Sequence, residues 1–243
     1  MDDRLPRHFR PLTGTEPFSF ACHPGVPCFT ECCRELDLAL TPYDVLRLKN
    51  HLRMHSATFL ERYVIIEHDP QMVFPVCYLT MVDDGRASCV FVRPRGCSVY
   101  ADRPGACRAY PLGRGAARRP DGTIGEQLVL VREPHCRGFD EPDRQDARQY
   151  FADQGLDDYN RYNDPVTRLL QHPRIRQGFR PDRQQLDRYI LALYNLDGFR
   201  REMSEGRIAL QRPLTPAELQ GLAGDDRQLL LLAIRWLLQD YFG

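Results

Sequence analysis

The stretch Gly96–Pro111 reads GCSVYADRPGACRAYP and holds the strongest local pattern in this chain of 243 residues. Cys97 and Cys107 are separated by nine residues, and Pro104 is expected to fix a turn that brings their sulfurs together. The surrounding first half of the chain reads as loops with few apolar runs. We therefore expect that a bound metal, rather than hydrocarbon alone, orders this part of the chain.

The other cysteines also fall into tight groups. The spacing is Cys22-x5-Cys28-x3-Cys32-Cys33, then Cys89-x7-Cys97-x9-Cys107, then Cys136, while Cys77 stands apart in an apolar run. Thiolate is the ligand form of cysteine, and four thiolates suit either tetrahedral zinc or an iron–sulfur cube. The alternative is that these are small buried apolar residues, and Cys77 fits that interpretation.

Composition narrows the class of protein. The chain has 33 basic and 33 acidic residues, so its zero net charge gives no reason to expect nucleic acid or an anionic membrane as partner. The polar N-terminus lacks the apolar core of a signal peptide, and the longest apolar run is far below the roughly 20 residues of a membrane span. We expect a cytoplasmic protein, and nine cysteines in a reducing compartment favour a metal over disulfides.

Several runs together resemble a known family. The runs are FSFACHPGVPCFTECC, LTPYDVLRLKNHL, CVFV, GCSVYADRPGACRAYP and HCRGF. They resemble the CxxCxxCC, or YkgJ-type, cysteine cluster family, described as zinc- or iron-chelating, over about residues 18–140. The flagellin lysine N-methylases share this cysteine domain, where it is held to carry an iron–sulfur cluster.

Carried over position by position, the resemblance implies a set of metal ligands: Cys22, Cys28, Cys32, Cys33, Cys89, Cys97, Cys107 and Cys136. The first group departs from the x2, x2 spacing in the family's name, because its spacings are x5 and x3. This departure leaves open whether Cys22 and Cys28 share one metal.

Cationic and imidazole side chains accompany the cysteines. Arg103 and Arg108 are predicted to bind the cofactor, since charges and hydrogen bonds at the sulfurs tune a cluster. His23 and His135 each neighbour a motif cysteine and are alternative ligands. Residues 93–119 carry seven arginines against one acid, which predicts a loop that docks a protein partner, with a solvated loop as the alternative.

The periodicity predicts a mainly helical α+β fold. A loop-rich cysteine-cluster domain with a few short strands is expected over residues 1–140, and a helical C-terminal segment over 141–243 is expected to pack on it. Residues 1–21 and the glycines at 113 and 115 are interpreted as irregular. Strands are predicted at Met72–Thr80, Ala87–Arg93 and Gln127–Arg132.

Helix signals are clearest at two places in the first half and four in the second. Thr41-Pro42 is a helix start, and Ser56 is predicted to cap the next helix. Later helices are predicted at about 143–154, 156–171, 183–195 and 225–242. The last is apolar on most sides, which indicates burial within the chain or the seam of a homodimer.

Three functions remain open, in this order. The first is an iron–sulfur protein, most simply with a [4Fe–4S] cluster, serving redox chemistry, sensing or partner binding. The second is a structural zinc-binding interaction module. The third, by analogy with the flagellin lysine N-methylases, is an enzyme that modifies a protein partner.

Overall fold

The computed structural model describes residue 6 and residues 8–243. It is mainly helical with several short strands, which confirms the predicted α+β class. Its contacts divide it into two compact units. Unit 1 comprises the described residues up to Leu38 together with Thr80–Asn160, and unit 2 comprises Ala39–Leu79 with Arg161–Gly243. The predicted division, a cysteine-cluster domain over residues 1–140 with a helical segment over 141–243 packed on it, stays a prediction.

The strands are short and all of the named pairs are antiparallel. In chain order they are β1 Phe9–Leu12, β2 Phe18–Ser19, β3 Val64–Glu67, β4 Val76–Leu79, β5 Met81–Val82, β6 Ser88–Cys89, β7 Val92–Arg93, β8 Gly96–Cys97, β9 Leu112–Arg118, β10 Ile124–Val131 and β11 Arg144–Gln145.

The α-helices supply most of unit 2. They are α1 Pro42–His51, α2 Ser56–Tyr63, α3 Gly105–Ala109, α4 Ala147–Asp153, α5 Leu156–Asn163, α6 Thr167–Leu170, α7 Pro173–Arg176, α8 Arg183–Leu193, α9 Leu196–Ser204, α10 Pro216–Gly224 and α11 Asp226–Phe242. Short 3-10 turns lie at Glu31–Cys33, Tyr100–Asp102, Gly138–Asp140 and Asp164–Val166.

Unit 1 is built on a sheet of order β1-β10-β9. One face of this sheet covers a hydrophobic core whose buried members are Leu12, Phe18, Phe20, Leu112, Leu128, Leu130, Ala147 and Tyr150. Tyr110 and Cys136 pack against this core from its margin. Unit 1 therefore has a hydrophobic core of its own, and this core is larger than the loop-rich sequence suggests.

Two segments predicted as irregular are strands. In β1, Pro11 lies on the edge of the sheet, where a proline costs the least pairing because only one side of the strand is bonded. In β9, Gly113 faces Val129, and a Cβ at Gly113 would lie 2.8 Å from the Val129 Cγ2 atom. The arginine-rich segment 93–119 is thus partly strand and helix rather than a flexible loop.

Other strands and helices are shorter in the structure than the ranges predicted from the sequence. Pro75 immediately precedes β4, so only the end of Met72–Thr80 is a strand, and it pairs with β3. Ala87–Arg93 is divided into β6 and β7. Pro165 lies in the 3-10 turn that separates α5 from α6, because a proline cannot donate a helical hydrogen bond.

Helix starts in unit 2 follow the capping rules, with one correction. Thr41 and Asp44 form a capping box at α1, as the Thr41-Pro42 start predicts. The cap of α2 is His55 rather than Ser56, because His55 Nδ1 accepts from the Ala57 N–H at 3.3 Å. The Ser56 hydroxyl instead donates to Asn195 Oδ1 at 2.7 Å.

The last helix, α11, is buried within unit 2. Asp225 caps it by accepting from the Arg227 N–H at 2.9 Å. Its leucines at 229, 230 and 237 are fully buried, and the helix packs against α1, α8 and α9. A homodimer through 225–242 stays a prediction. In the described part of the chain, no helix has both the length and the apolar character that a membrane crossing requires.

Candidate metal centre

All eight motif cysteines lie in unit 1, and each is outside any disulfide. Cys77 lies in β4 of unit 2, fully buried and free. The structure thus separates the ninth cysteine from the group that the motif spacing defines.

Four of the eight cysteines line one pocket. The residues around it are Phe20, Ala21, Cys22, Val26, Cys28, Cys32, Tyr110, His135, Cys136 and Gly138. Cys22 is exposed and the other three thiols are half-buried, so the pocket is open to solvent on one side. We call these four residues, Cys22, Cys28, Cys32 and Cys136, the thiol ring.

Tight turns carry three members of the ring on one loop. The Val26 N–H donates to the His23 carbonyl at 3.0 Å, and the Glu31 N–H donates to the Cys28 carbonyl at 2.9 Å. Thr30 has a φ of 70°, a left-handed conformation that starts the 3-10 turn holding Cys32. These turns bring widely spaced cysteines to one pocket, which the x5 and x3 spacing alone does not predict.

The fourth member, Cys136, reaches the ring because of a close backbone approach. The Ala21 N–H donates to the Gly138 carbonyl at 3.0 Å. A Cβ at Gly138 would lie 2.6 Å from the Ala21 carbonyl oxygen, so only glycine fits here without a shift. The Arg137 N–H also donates to Cys28 Sγ at 3.0 Å, which joins the two loops directly at a ligand sulfur.

The thiols of the ring act on one another. Burial and then Cys32, Cys28 and Cys136 together raise the pKa of Cys22 to about 11. A hydrogen bond with Cys33 and then burial raise the pKa of Cys32, and burial is the main cause that raises the pKa of Cys136. These three thiols are therefore protonated at neutral pH, and their thiolate forms would need a cation beside the sulfurs, as at a metal site.

The ring is not closed around a single ion. Among residue 6 and residues 8–243, no three Cys, His, Asp or Glu side chains are placed to hold one metal ion together. Binding a lone ion would require the sulfurs to move inward.

Two further motif cysteines flank the ring. Cys89 pairs with Met81 across β5–β6, and Cys97 pairs with Val92 across β7–β8. Burial is the main cause that raises the pKa of both thiols. A smaller rise in the pKa of Cys89 comes from Cys97, and a smaller rise in the pKa of Cys97 comes from Cys32. Cys97 is therefore the electrostatic link between this pair and the ring.

The remaining two motif cysteines are Cys33 and Cys107. Cys33 ends the 3-10 turn next to Cys32, and half-buried Cys107 lies on α3. Neither lines the pocket, and their predicted role as ligands stays a prediction.

Arg108 is a structural cation. It is 9% exposed, and its guanidinium donates to three backbone carbonyls: that of Arg103 at 3.2 Å, that of Gln154 at 2.6 Å and that of Ala101. These bonds hold the segment between Cys97 and Cys107 in place. Its predicted contact with the cofactor stays a prediction.

Arg103 lies nearer to the thiols. Its guanidinium donates to the Tyr100 carbonyl at 2.7 Å and to the side chain of Gln154, and it stacks over the Tyr100 ring. Its charge also works against the rise in the pKa of Cys22 and Cys97, where burial is the larger effect. Arg103 therefore contributes a positive potential at the pocket, and direct cofactor binding stays a prediction.

The two candidate histidines are placed differently. His135 lines the pocket, and its Nε2 lies 3.6 Å from a Glu133 carboxylate oxygen. His23 Nδ1 accepts from the Gly25 N–H at 3.1 Å, and its Nε2 lies 3.5 Å from Glu141. Of the two, only His135 is among the residues that line the pocket.

Two contributors to the site have no signal in cysteine spacing. Gly138 is needed for the backbone approach at Cys136. Tyr110, the tyrosine of the CRAYP run, lines the pocket with a buried hydroxyl that lacks a hydrogen-bond partner. Its place three residues after Cys107 is the one signal in the sequence, but a tyrosine in such a position is ordinarily interpreted as core.

Comparison with known proteins agrees with this geometry. Residues 21–137 match the family model CxxCxxCC, described as a "putative zinc- or iron-chelating domain". No curated protein and no solved structure matches the chain. The matched residues include all eight motif cysteines, and the match supports metal binding. The resemblance found in the sequence is therefore confirmed: residues 21–137 are similar to the CxxCxxCC family.

Proposed function

We propose that the thiol ring binds an iron–sulfur cluster, most simply [4Fe–4S], in a cytoplasmic protein. The observation that carries the proposal is that four free cysteines line one pocket. Four cysteine thiolates are the usual ligands of such a cluster.

The number of thiols in the ring supports a cluster. In a cube each thiolate binds its own iron, and the four cysteines that line the pocket would supply one ligand for each iron. The Arg137 N–H on Cys28 Sγ is the kind of hydrogen bond that stabilises and tunes a cluster sulfur.

The position of the pocket favours a redox or sensing role. Cys22 is exposed, so a cluster held by it would be accessible to small oxidants and to a redox partner. The arginines of residues 93–119 would favour an acidic protein partner. The thiols outside the ring, Cys33, Cys89, Cys97 and Cys107, would then serve a second metal.

Zinc is the second candidate, and His135 favours it. A nitrogen donor beside thiolates is common in structural zinc sites and rarer at cluster irons. With His135 at the pocket, a Cys₃His site is available after a small inward movement of the sulfurs.

The test is metal analysis after anaerobic purification. We expect about four iron and four labile sulfide per chain, with absorbance at about 400 nm that bleaches in air. Cys32→Ser and Cys136→Ser should lose the iron, whereas Cys77→Ser, the matched control in unit 2, should keep it. Zinc without iron or sulfide would overturn the cluster and support the second candidate. Metal-free protein would overturn both.

A further inference from the structure

The hydroxyl of Tyr110 is a buried donor without an acceptor. Four side-chain polar atoms of the described residues are buried without a hydrogen-bond partner, and of these only Tyr110 Oη belongs to a residue lining the cysteine pocket. Leaving a buried hydroxyl unbonded costs stability, so native folds rarely keep such a group without a use for it.

The surrounding contacts fix where this side chain lies. Its backbone ends α3, with the Tyr110 N–H donating to the Ala106 carbonyl at 3.1 Å. Its own carbonyl accepts from Tyr150 Oη at 2.5 Å. Its ring packs edge-on against Phe20, with centroids 6.0 Å apart, in the unit 1 core. Two hydrogen bonds hold the Tyr110 backbone and one ring contact orients its side chain, so its position beside the pocket is built into the fold.

The group beside the hydroxyl is a member of the thiol ring. Tyr110 and Cys136 both line the pocket, and both pack against the unit 1 core. A neutral thiol is a weak acceptor, whereas a metal-bound thiolate is a strong one. The hydroxyl therefore gains a good acceptor when Cys136 ligates a metal.

We propose that Tyr110 donates its O–H hydrogen bond to the metal-bound thiolate of Cys136 and so acts as a positioning residue that retains the metal. This inference rests on the proposed function, since it requires a metal at the thiol ring. It adds a residue whose effect is exerted through a ligand rather than as a ligand.

Glu133 is the competing acceptor. Its carboxylate also acts on Tyr110, and it lies 3.6 Å from His135 Nε2. A hydrogen bond to Glu133 would leave the metal unaffected by loss of the hydroxyl. Glu133→Gln therefore distinguishes the two acceptors.

The experiment compares Tyr110→Phe with Tyr100→Phe in anaerobically purified, metal-loaded protein. Tyr100 is in the same unit, 58% exposed, and does not line the pocket. The measured quantities are the rate of metal loss to an excess of chelator and, for an iron cluster, the midpoint potential. We expect Tyr110→Phe to lose metal about tenfold faster, the range seen for partners of metal ligands. Its potential should fall, because a hydrogen bond to sulfur stabilises the reduced state.

Each outcome is decisive. Tyr100→Phe should match the wild type in both measurements, and Glu133→Gln should match it in the rate of metal loss. Wild-type rate and potential in Tyr110→Phe would overturn the inference, as would a Tyr110→Phe effect that Glu133→Gln reproduces. Failure of Tyr110→Phe alone to fold would also overturn it, because the hydroxyl would then be needed before any metal binds. Metal-free wild-type protein would instead overturn the proposed function itself.

Discussion

Unit 2 pairs its buried lysine with carboxylates, whereas unit 1 collects thiols at one pocket. In unit 2, Lys49 Nζ lies 2.8 Å from Asp226 and 3.1 Å from Asp197, and Arg200 bonds both carboxylates. We call these four residues the Lys49 network. In unit 1, the thiols of the thiol ring raise one another's pKa instead.

The difference indicates what each unit needs in order to be stable. Two cations face two carboxylates in the Lys49 network, so unit 2 needs no added ion. In the thiol ring, Cys22, Cys32 and Cys136 have raised pKa values and are protonated at neutral pH, and a metal that replaces those protons would be held by unit 1. Metal binding should therefore stabilise unit 1 and leave unit 2 nearly unchanged.

Removing the metal should have the largest effect. After chelation, we expect protease to cleave first in residues 22–33 and 89–111 of unit 1, since those loops lose the group that holds them. The residues of unit 2 should survive longer, and mass spectrometry of timed digests would show the order. Metal-loaded protein is the control. Equal cleavage rates in both units would contradict the comparison.

Breaking the Lys49 network should destabilise unit 2 strongly. Asp226→Asn removes a carboxylate from the buried Lys49 ammonium, and we expect a loss of about 3 kcal/mol in the free energy of unfolding. Urea denaturation would measure it. Arg212→Gln, which breaks an exposed pair with Glu218, is the control and should have little effect. Metal content should be unchanged in both variants.

Closing the approach at Gly138 should damage unit 1. Gly138→Ala places a Cβ 2.6 Å from the Ala21 carbonyl oxygen, and we expect a cost of about 2 kcal/mol together with weaker metal retention. Gly221→Ala is the matched control, because Gly221 lies in α10 with open space around its Cβ position. That variant should be neutral or more stable by about 0.5 kcal/mol. Unaltered metal retention in Gly138→Ala would show that the thiol ring tolerates a larger distance between the backbones of Gly138 and Ala21.

Acid should act on unit 2 through Asp226. Burial alone would raise the pKa of this carboxyl, but hydrogen bonds from Arg200 and Lys49 lower it to about 2. Because the folded-state value is below the ordinary one, its stabilisation is complete above about pH 4 and is lost as the pH falls towards 2. The Tm of Asp226→Asn should therefore depend less on pH than that of the wild type in this window. If the Tm of the variant and that of the wild type change equally with pH, other carboxyl groups are responsible for the effect of acid.

Cys77→Ala should have the smallest effect. The thiol is fully buried in unit 2, so its loss leaves a small cavity that costs on the order of 1 kcal/mol. Iron, sulfide and zinc contents should equal those of the wild type. Loss of metal would place Cys77 among the ligands.

Sequence reasoning succeeds where one residue type carries the information. Thr41 and Pro42 predict the start of α1 from local capping chemistry alone. The eight-cysteine pattern is visible in the sequence because thiols in tight groups point to a metal far more often than to ordinary core packing, and all eight lie in one unit.

The missed features depend on partners that are distant in sequence. The strand β1 is stabilised by pairing with β10, more than 100 residues later, so its own prolines suggest an irregular segment. Only three-dimensional structure brings Cys136 beside Cys22, through the backbone approach at Gly138. The same holds for the hydrogen bond from the Arg108 guanidinium to the Gln154 carbonyl, which joins residues 46 positions apart.

The burial of Lys49 has a practical consequence for chemical labelling. Lys49 is the only lysine in the sequence, and its side chain is 6% exposed and held by two carboxylates. Acylating reagents and amine cross-linkers therefore find no accessible lysine on the folded chain. Acylation of this one residue would occur only when unit 2 opens, so a single mass increment in the peptide containing Lys49 would report the opening rate of unit 2 without any engineered probe.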